Sequence, residues 1–252
     1  MYLFIDTETS GPNPRKDRSV QIAWVETDLS GRTLVEASHI VRPVGFEIGQ
    51  GAAEIHGITT ERARRDGETL HLVLSRLRKA FSRAQLVIGH NISFDLSILS
   101  NDFNAIGDTM PIDRSSAFCT MSASRDWCAL KEKGPRGRVK NPKLTELYRI
   151  CFGREFHGAH DALRDVRATK ECFFHLRSQG VINVPAVAAA SIDDKQVRAP
   201  WKPRPDSKIA TVQRIEINCT HCNTEFAVTL VRYEVAARCP QCSRLTSAAV
   251  KW

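Results

Sequence analysis

The chain has 252 residues, of which 42% are apolar and 25% are charged, a composition typical of a soluble globular protein. No apolar run is long enough to cross a bilayer, and Met1-Tyr-Leu-Phe-Ile lacks the basic start of a secretory signal. We therefore expect an intracellular, cytoplasmic protein with no membrane partner. A net charge of +8 favours a polyanionic partner, although a merely basic surface would give the same total.

The N-terminal segment Tyr2-Leu-Phe-Ile-Asp6-Thr-Glu8 predicts a buried strand that ends in two acids. Successive strand side chains point to opposite faces, so Asp6 and Glu8 share one face. Two neighbouring buried carboxylates are unfavourable unless a cation lies between them, and Mg²⁺ or Mn²⁺ prefers carboxylate oxygens. Taken alone, such a pair more often marks a strand that runs into a solvated loop.

The rest of the larger part alternates between predicted strands and helices. Residues 20–41 predict a hairpin, and glycines and a proline predict an irregular stretch from 43 up to the segment 52–59. Further strands are predicted at 85–88 and 117–119. Helical spacing of apolar residues predicts helices near 70–81, 94–103, 121–130, 144–151 and 161–179.

A basic segment covers residues 131–143. It carries a net charge of +5, because six basic residues stand against Glu132 alone. The interpretation is contact with a phosphate backbone, and the alternative is a solvated loop. The basic residues are Lys131, Lys133, Arg136, Arg138, Lys140 and Lys143.

Two Cys-x-x-Cys pairs mark the C-terminal part. Cys219, Cys222, Cys239 and Cys242 have the spacing of a tetrahedral zinc site in a zinc ribbon. Four thiolates leave no open position, so this Zn²⁺ is predicted to be structural, and the ribbon to hold nucleic acid or a protein partner. The predicted division is a first domain at 1–182, a linker at 183–208 and the ribbon at 209–252. The other cysteines, Cys119, Cys128, Cys151 and Cys172, are predicted to be small buried apolar residues.

Two more acids complete the set. Asp95 opens a helix directly after a predicted strand, and Asp165 lies near the start of the long helix, five residues after His160. Three motifs resemble those of the DEDDh (DnaQ-like) exonucleases, a family that includes the proofreading subunit of bacterial replicative polymerase, oligoribonuclease and ribonuclease T. The motifs are Asp6-x-Glu8, Gly89-His-Asn91-Ile-Ser-Phe94-Asp95 and His160-Asp-Ala-Leu-Arg-Asp165. The match runs over about residues 2–178 and includes Ile55-His56-Gly57 and Leu144-Thr-Glu-Leu147.

The resemblance implies an α/β fold of ribonuclease-H-like type, with a mixed sheet flanked by helices. It implies metal-dependent removal of nucleoside monophosphates from a 3′ end. Two Mg²⁺ or Mn²⁺ ions would be held by Asp6, Glu8, Asp95 and Asp165. His160 would be the general base, and His157 in the same loop is its rival. Substrate contacts are expected from Thr7, Ile55, His56, Asn91 and Phe94, although Phe94 fits a core position equally, and from Lys131, Lys133, Arg136, Arg138 and Lys140.

Three functions are compatible with these residues. The first, which we expect, is an exonuclease that acts on a nucleic acid with a 3′ end, DNA rather than RNA. One alternative is an exoribonuclease that trims RNA on the same fold. The other is a catalytically inert adaptor that binds nucleic acid.

Overall fold

Strand β1 (Tyr2–Thr9) is the central strand of a mixed five-stranded sheet in the computed structural model of this chain. The structure describes residues 1–132 and 137–184, the C-terminal strands given below, and residues 222 and 241. The strand order is β3–β2–β1–β4–β5; β1 to β3 are antiparallel, and β4 and β5 run parallel to β1. The other strands are β2 (Ser19–Thr27), β3 (Thr33–Ile40), β4 (Leu86–Gly89) and β5 (Ala117–Cys119). The predicted mixed sheet is confirmed.

Helices flank this sheet, and five of them lie where apolar spacing predicted them. These are α3 (Leu70–Arg83), α4 (Ile92–Ala105), α5 (Thr120–Cys128), α6 (Leu144–Phe152) and α7 (Ala162–Ser178), preceded by α1 (Gln50–His56) and α2 (Thr60–Asp66). In the part of the chain that the structure describes, no helix is both long and apolar enough to span a bilayer.

Side-chain alternation along β1 divides the core into two layers. Leu3 and Ile5 pack on one face with residues of α3 and α4. Tyr2 and Phe4 pack on the other face with residues of α6 and α7, and the rings of Phe4 and Phe173 lie 5.5 Å apart. Because the period of a strand is two, Asp6 and Glu8 continue the α7 face, whereas Thr7 continues the α4 face.

The irregular stretch predicted from residue 43 ends earlier than expected, because α1 begins at Gln50, and neither α1 (Gln50–His56) nor α2 (Thr60–Asp66) was predicted as a helix. No residue of α1 is buried, so it has no apolar stripe for a periodicity search to detect. A local signal did exist for α2: the Thr59 hydroxyl accepts a hydrogen bond from the Arg62 N–H, as an N-cap does.

Three of the four scattered cysteines also depart from the prediction. Cys172 is fully buried, as expected, but Cys119, Cys128 and Cys151 are only partly buried. Cys151 on α6 and Cys172 on α7 lie close enough to affect each other's pKa, which is lowered for Cys151 and raised for Cys172. The two helices pack against each other and bring these thiols together, a contact that isolated cysteines in a sequence do not predict.

The chain divides into two compact units, Met1–Ala199 and Pro200–Trp252. In the second, the structure describes two antiparallel pairs: β6 (Gln213–Asn218) with β7 (Glu225–Leu230), and β8 (Val235–Arg238) with β9 (Leu245–Ala248). By sequence, each Cys-x-x-Cys pair falls between two paired strands. Cys222 is exposed, while Cys219, Cys239 and Cys242 lie outside the described residues, as do Lys133 and Arg136 of the basic segment. The zinc site and the exact domain boundaries stay predictions.

Candidate active site

The acids of the first two motifs meet at one edge of the sheet. Strands β1 and β4 are parallel and adjacent, with Phe4 opposite Ile88, so their carboxyl ends lie side by side. There is little space around Gly89 at the end of β4, where an added Cβ would lie 2.7 Å from Ile92 Cδ1 and 3.2 Å from the Ile5 carbonyl oxygen. The chain then turns into α4 and presents Asp95 in its first turn.

Asp95 is held by β1 itself. Its side chain is 4% exposed, and its Oδ1 accepts hydrogen bonds from the Thr7 N–H (3.0 Å) and the Thr7 hydroxyl (2.8 Å). Thr7 was predicted to contact substrate; in this structure it is buried and its hydroxyl hydrogen is used by Asp95. It therefore fixes the orientation of one carboxylate relative to the strand that carries the other two.

The start of α7 supplies the third motif. Ligand atoms of Glu8, His160 and Asp165 all lie within 4.8 Å of one another. The His160 N–H donates to Asp165 Oδ2 at 3.2 Å, and His160 adopts a left-handed backbone with φ of 69°. Such a conformation in a non-glycine residue costs on the order of 1 kcal/mol and is typical of functional loops. It turns the exposed imidazole toward Glu8 and Asp165, whereas His157 lines a separate cleft with Tyr148.

The pKa of each of the four carboxyl groups is raised above its usual value. Burial is the largest cause for each, and it raises the pKa of Glu8 to about 8, of Asp95 to about 7 and of Asp165 to about 6. The pKa of Asp6 is raised well above its usual value by burial and then by the neighbouring charges, that of Asp95 first. Among the described residues, no Lys or Arg forms a salt bridge with any of the four.

This donor set fits a hard divalent cation. Asp165 Oδ1 is buried and has no hydrogen-bond partner among the described residues. A buried carboxylate oxygen without a donor needs another positive partner, and Mg²⁺ and Mn²⁺ select carboxylate oxygens. Asp6, Glu8, Asp95 and Asp165 are the residues that would hold such ions.

The raised pKa values predict that metal stabilises the protein more strongly at higher pH. Because these pKa values are higher in the folded chain, the metal-free folded state binds more protons than the unfolded state between about pH 4 and pH 8. Its free energy of unfolding therefore falls as the pH rises through this window. A divalent cation binds the ionised carboxylates, so we expect the increase in melting temperature caused by Mn²⁺ to grow from pH 5 to pH 8. An increase in melting temperature with Mn²⁺ that is the same at pH 5, 6, 7 and 8 would contradict this.

His56 lies close enough to His160 for its pKa to be affected. Burial is the main reason that its pKa is lowered. Its Nε2–H donates to the Thr9 carbonyl oxygen at 3.2 Å, and its Nδ1 accepts from the Ile58 N–H at 3.1 Å. Both ring nitrogens are therefore occupied, and the neighbouring Ile55 is 59% exposed.

Asn91 and Phe94 lie at the turn into α4. Asn91 is exposed with a left-handed φ of 70°, and its carbonyl oxygen accepts from the Phe94 N–H. Phe94 is partly buried and is not a member of the apolar core clusters found among the described residues. This placement agrees better with the cleft than with the core.

The described ends of the basic segment pair with each other. The Glu132 N–H donates to the Arg138 carbonyl and the Lys140 N–H to the Leu130 carbonyl, which leaves the side chains of Lys131 and Arg138 exposed. Lys140 instead forms an ion pair with Glu146 at 2.5 Å. Next to this segment, His90 Nε2–H donates to the Pro142 carbonyl at 2.9 Å, and burial lowers the pKa of His90 to about 4. A neutral histidine of the second motif thus anchors the end of the basic segment.

Sequence reasoning missed two residues beside the site. Asp161 is the N-cap of α7 and contributes to the raised pKa of Asp6, Glu8 and Asp165. Gln21, on β2 directly opposite Glu8, hydrogen-bonds to Asp161 at 3.3 Å. The available signals were an Asp immediately before a helix and a single amide inside the apolar run Val20-Gln-Ile-Ala-Trp.

Comparisons with known proteins agree with this geometry. A family model described as Exonuclease (RNase_T) matches residues 3–173. Exodeoxyribonuclease I of Escherichia coli (strain K12) is 28% identical over 187 residues, which cover 67% of this chain and 38% of the relative. Ribonuclease T of Buchnera aphidicola is 28% identical over 111 residues, covering 39% of this chain and 51% of the relative. This chain thus spans about two fifths of the first relative and about half of the second.

Among solved structures, the zinc-ion-bound complex of E. coli exonuclease I with single-stranded DNA is similar, with a TM-score of 0.60 and 25% identity. The superposed region covers 71% of this chain and 40% of that one. The likeness lies in the sheet and its flanking helices, where the four acids are found.

Proposed function

This chain belongs to the Exonuclease family, and from that premise we propose that it is a metal-dependent 3′–5′ exonuclease that releases nucleoside monophosphates. The observation that carries the proposal is the convergence of Asp6, Glu8, Asp95 and Asp165 beside the His160 imidazole. Three segments far apart in the chain supply these groups, and no Lys or Arg in the described part of the chain forms a salt bridge with the four acids.

Each residue has a task in phosphodiester hydrolysis. Two bound divalent ions would lower the pKa of an attacking water and stabilise the charge on the leaving oxygen. Asp6 and Glu8 present their carboxylates from one strand face, and Thr7 holds Asp95 against the same strand end. His160 accepts a proton from the water, whose oxygen forms a bond to phosphorus as the bond from phosphorus to the 3′ oxygen breaks. The shortened nucleic-acid chain keeps that oxygen, which takes up a proton from solvent and becomes its new 3′ hydroxyl.

His160 is assigned as the base by geometry. Among the described residues, it is the histidine whose ring nitrogen lies within 4.8 Å of carboxylate oxygens of both Glu8 and Asp165, and His160 is exposed to solvent. His56 has both nitrogens occupied, and we assign it with Ile55 to contact with the terminal nucleotide. Lys131 and Arg138 are free to contact phosphates, whereas Lys140 would first have to leave Glu146.

DNA is the proposed substrate, and RNA is the second candidate. The similar exonuclease I structure contains single-stranded DNA, which favours DNA, while the likeness to ribonuclease T favours RNA. The test is a digest of end-labelled single- and double-stranded DNA and RNA with Mg²⁺, in which polarity and products are read. Release of mononucleotides from the 3′ end supports the proposal. Tight binding without turnover in Mg²⁺ or Mn²⁺ would indicate an inert adaptor instead.

The C-terminal unit is proposed to be a zinc ribbon held by Cys219, Cys222, Cys239 and Cys242. We expect Cys239→Ser to lose the bound zinc and to destabilise only this unit, because three thiolates no longer close a tetrahedral site. Zinc content by metal analysis and limited proteolysis would measure this. Cys119→Ser, in the first unit, is the control and should keep its zinc. Unfolding of the whole chain by Cys239→Ser would contradict the division into domains.

A further inference from the structure

The side chain of Gln21 occupies a position between the sheet and the start of α7. It lies on β2 opposite Glu8 and is 6% exposed. An amide buried beside acidic groups is unfavourable unless its donors and its acceptor are satisfied. All of them are.

Gln21 makes three hydrogen bonds that join three elements. Its Nε2 donates to the Ser38 hydroxyl on β3 at 3.0 Å and to Asp161 Oδ2 at 3.3 Å. Its Oε1 accepts from the Ala162 N–H at 3.2 Å. The first N–H groups of a helix have no partner within the helix, so a strand residue here completes the N-terminus of α7.

Asp161 continues the connection into the helix. Its Oδ1 caps the Arg164 N–H at 3.1 Å, and its carbonyl oxygen accepts from the Asp165 N–H at 3.0 Å. Asp165 therefore lies one helical turn after Asp161, the residue that Gln21 contacts, and His160 directly precedes Asp161. The distances from Glu8 to Asp165 and to His160 depend on where the first turn of α7 packs on β2.

We propose that Gln21 is a positioning residue that fixes the start of α7, and with it Asp165 and His160, at the distance from Glu8 that hydrolysis requires. This inference rests on the proposed function. Gln21 itself touches neither the attacking water nor the cations; it acts through Asp161 and the backbone of Ala162. A 1 Å displacement of reacting groups can reduce the rate about 100-fold.

A swap of donor and acceptor tests the contact. In the wild type, the Gln21 amide donates to the Asp161 carboxylate at 3.3 Å. In Gln21→Glu, two carboxylates face each other at this place and neither can donate. In Asp161→Asn, two amides can face each other. In the double variant, the new carboxylate at position 21 accepts from the new amide at position 161, and the Ala162 and Arg164 N–H groups keep their acceptors.

We expect each single variant to lower kcat by about 10- to 100-fold with little change in KM, and the double variant to recover to within about five-fold of wild type. Ser38→Ala is the matched control, because it removes the third hydrogen bond of Gln21 and leaves both contacts with α7. Its kcat should change less than about two-fold.

A second measurement does not depend on activity. Gln21→Ala leaves the Ala162 N–H without its acceptor, so hydrogen exchange at the first turn of α7 should become faster, and Ser38→Ala should leave it unchanged. A double variant as slow as the single variants, or unchanged exchange in Gln21→Ala, would overturn the inference. Wild-type protein without turnover in Mg²⁺ or Mn²⁺ would overturn the proposed function, and exchange would still decide whether Gln21 fixes α7.

Discussion

Replacing Asp165 by asparagine is expected to lower kcat by about 1,000-fold or more, the loss typical of removing a principal electrostatic group from an active site. Its Oδ1 is buried without a hydrogen-bond partner among the described residues, and its Oδ2 accepts only from the His160 N–H. An amide keeps the shape but removes the charge that would hold a cation. Asp6→Asn should behave in the same way, because Asp6 is surrounded by the other three acids.

The same variants should make the metal-free protein more stable at high pH. The raised pKa of each carboxyl means that its ionisation opposes folding, so replacing it by a neutral amide raises the melting temperature in EDTA at pH 8 and has little effect at pH 5. Glu171→Gln is the matched control on α7, since Glu171 accepts from the Tyr148 hydroxyl outside the site.

An Asp165→Asn enzyme that keeps near-full activity would refute the two-metal assignment.

Replacing His160 by glycine is expected to lower kcat by about 100- to 10,000-fold, the usual contribution of a general base. Glycine is chosen because it adopts the left-handed φ of 69° without strain, so that the loop and the contact with Asp165 survive. It also leaves room for a free imidazole. We expect added imidazole to restore part of the rate in proportion to its concentration.

Two controls separate base catalysis from loop structure. His160→Asn also tolerates a left-handed backbone but cannot take up the proton, so it should be as slow as the glycine variant and should not respond to imidazole. His157→Asn should keep kcat within about three-fold of wild type, because His157 lines a different cleft. Equal losses in the His157 and His160 variants would show that the loop, and not one imidazole, is needed.

Local patterns predicted most of the sheet and the long helices. The alternation along β1 is visible in the sequence, and it alone places Asp6 and Glu8 on one face and Thr7 on the other. Helical spacing located α3, α4, α6 and α7 because each has an apolar face to bury. The short α1 has none, and its exposed surface carries no periodicity.

Strand period and helix start are local properties, and they drew attention to Asp6, Glu8, Asp95 and Asp165. The roles expected of these acids and of His160 came from the resemblance of the three motifs to the DEDDh exonucleases. The tertiary structure decided what those groups touch. Thr7 holds Asp95 across 88 residues of sequence, and Gln21 meets Asp161 across 140. Contacts of this kind depend on how the layers pack, since a hydrogen bond between distant segments leaves no trace in the spacing of either one.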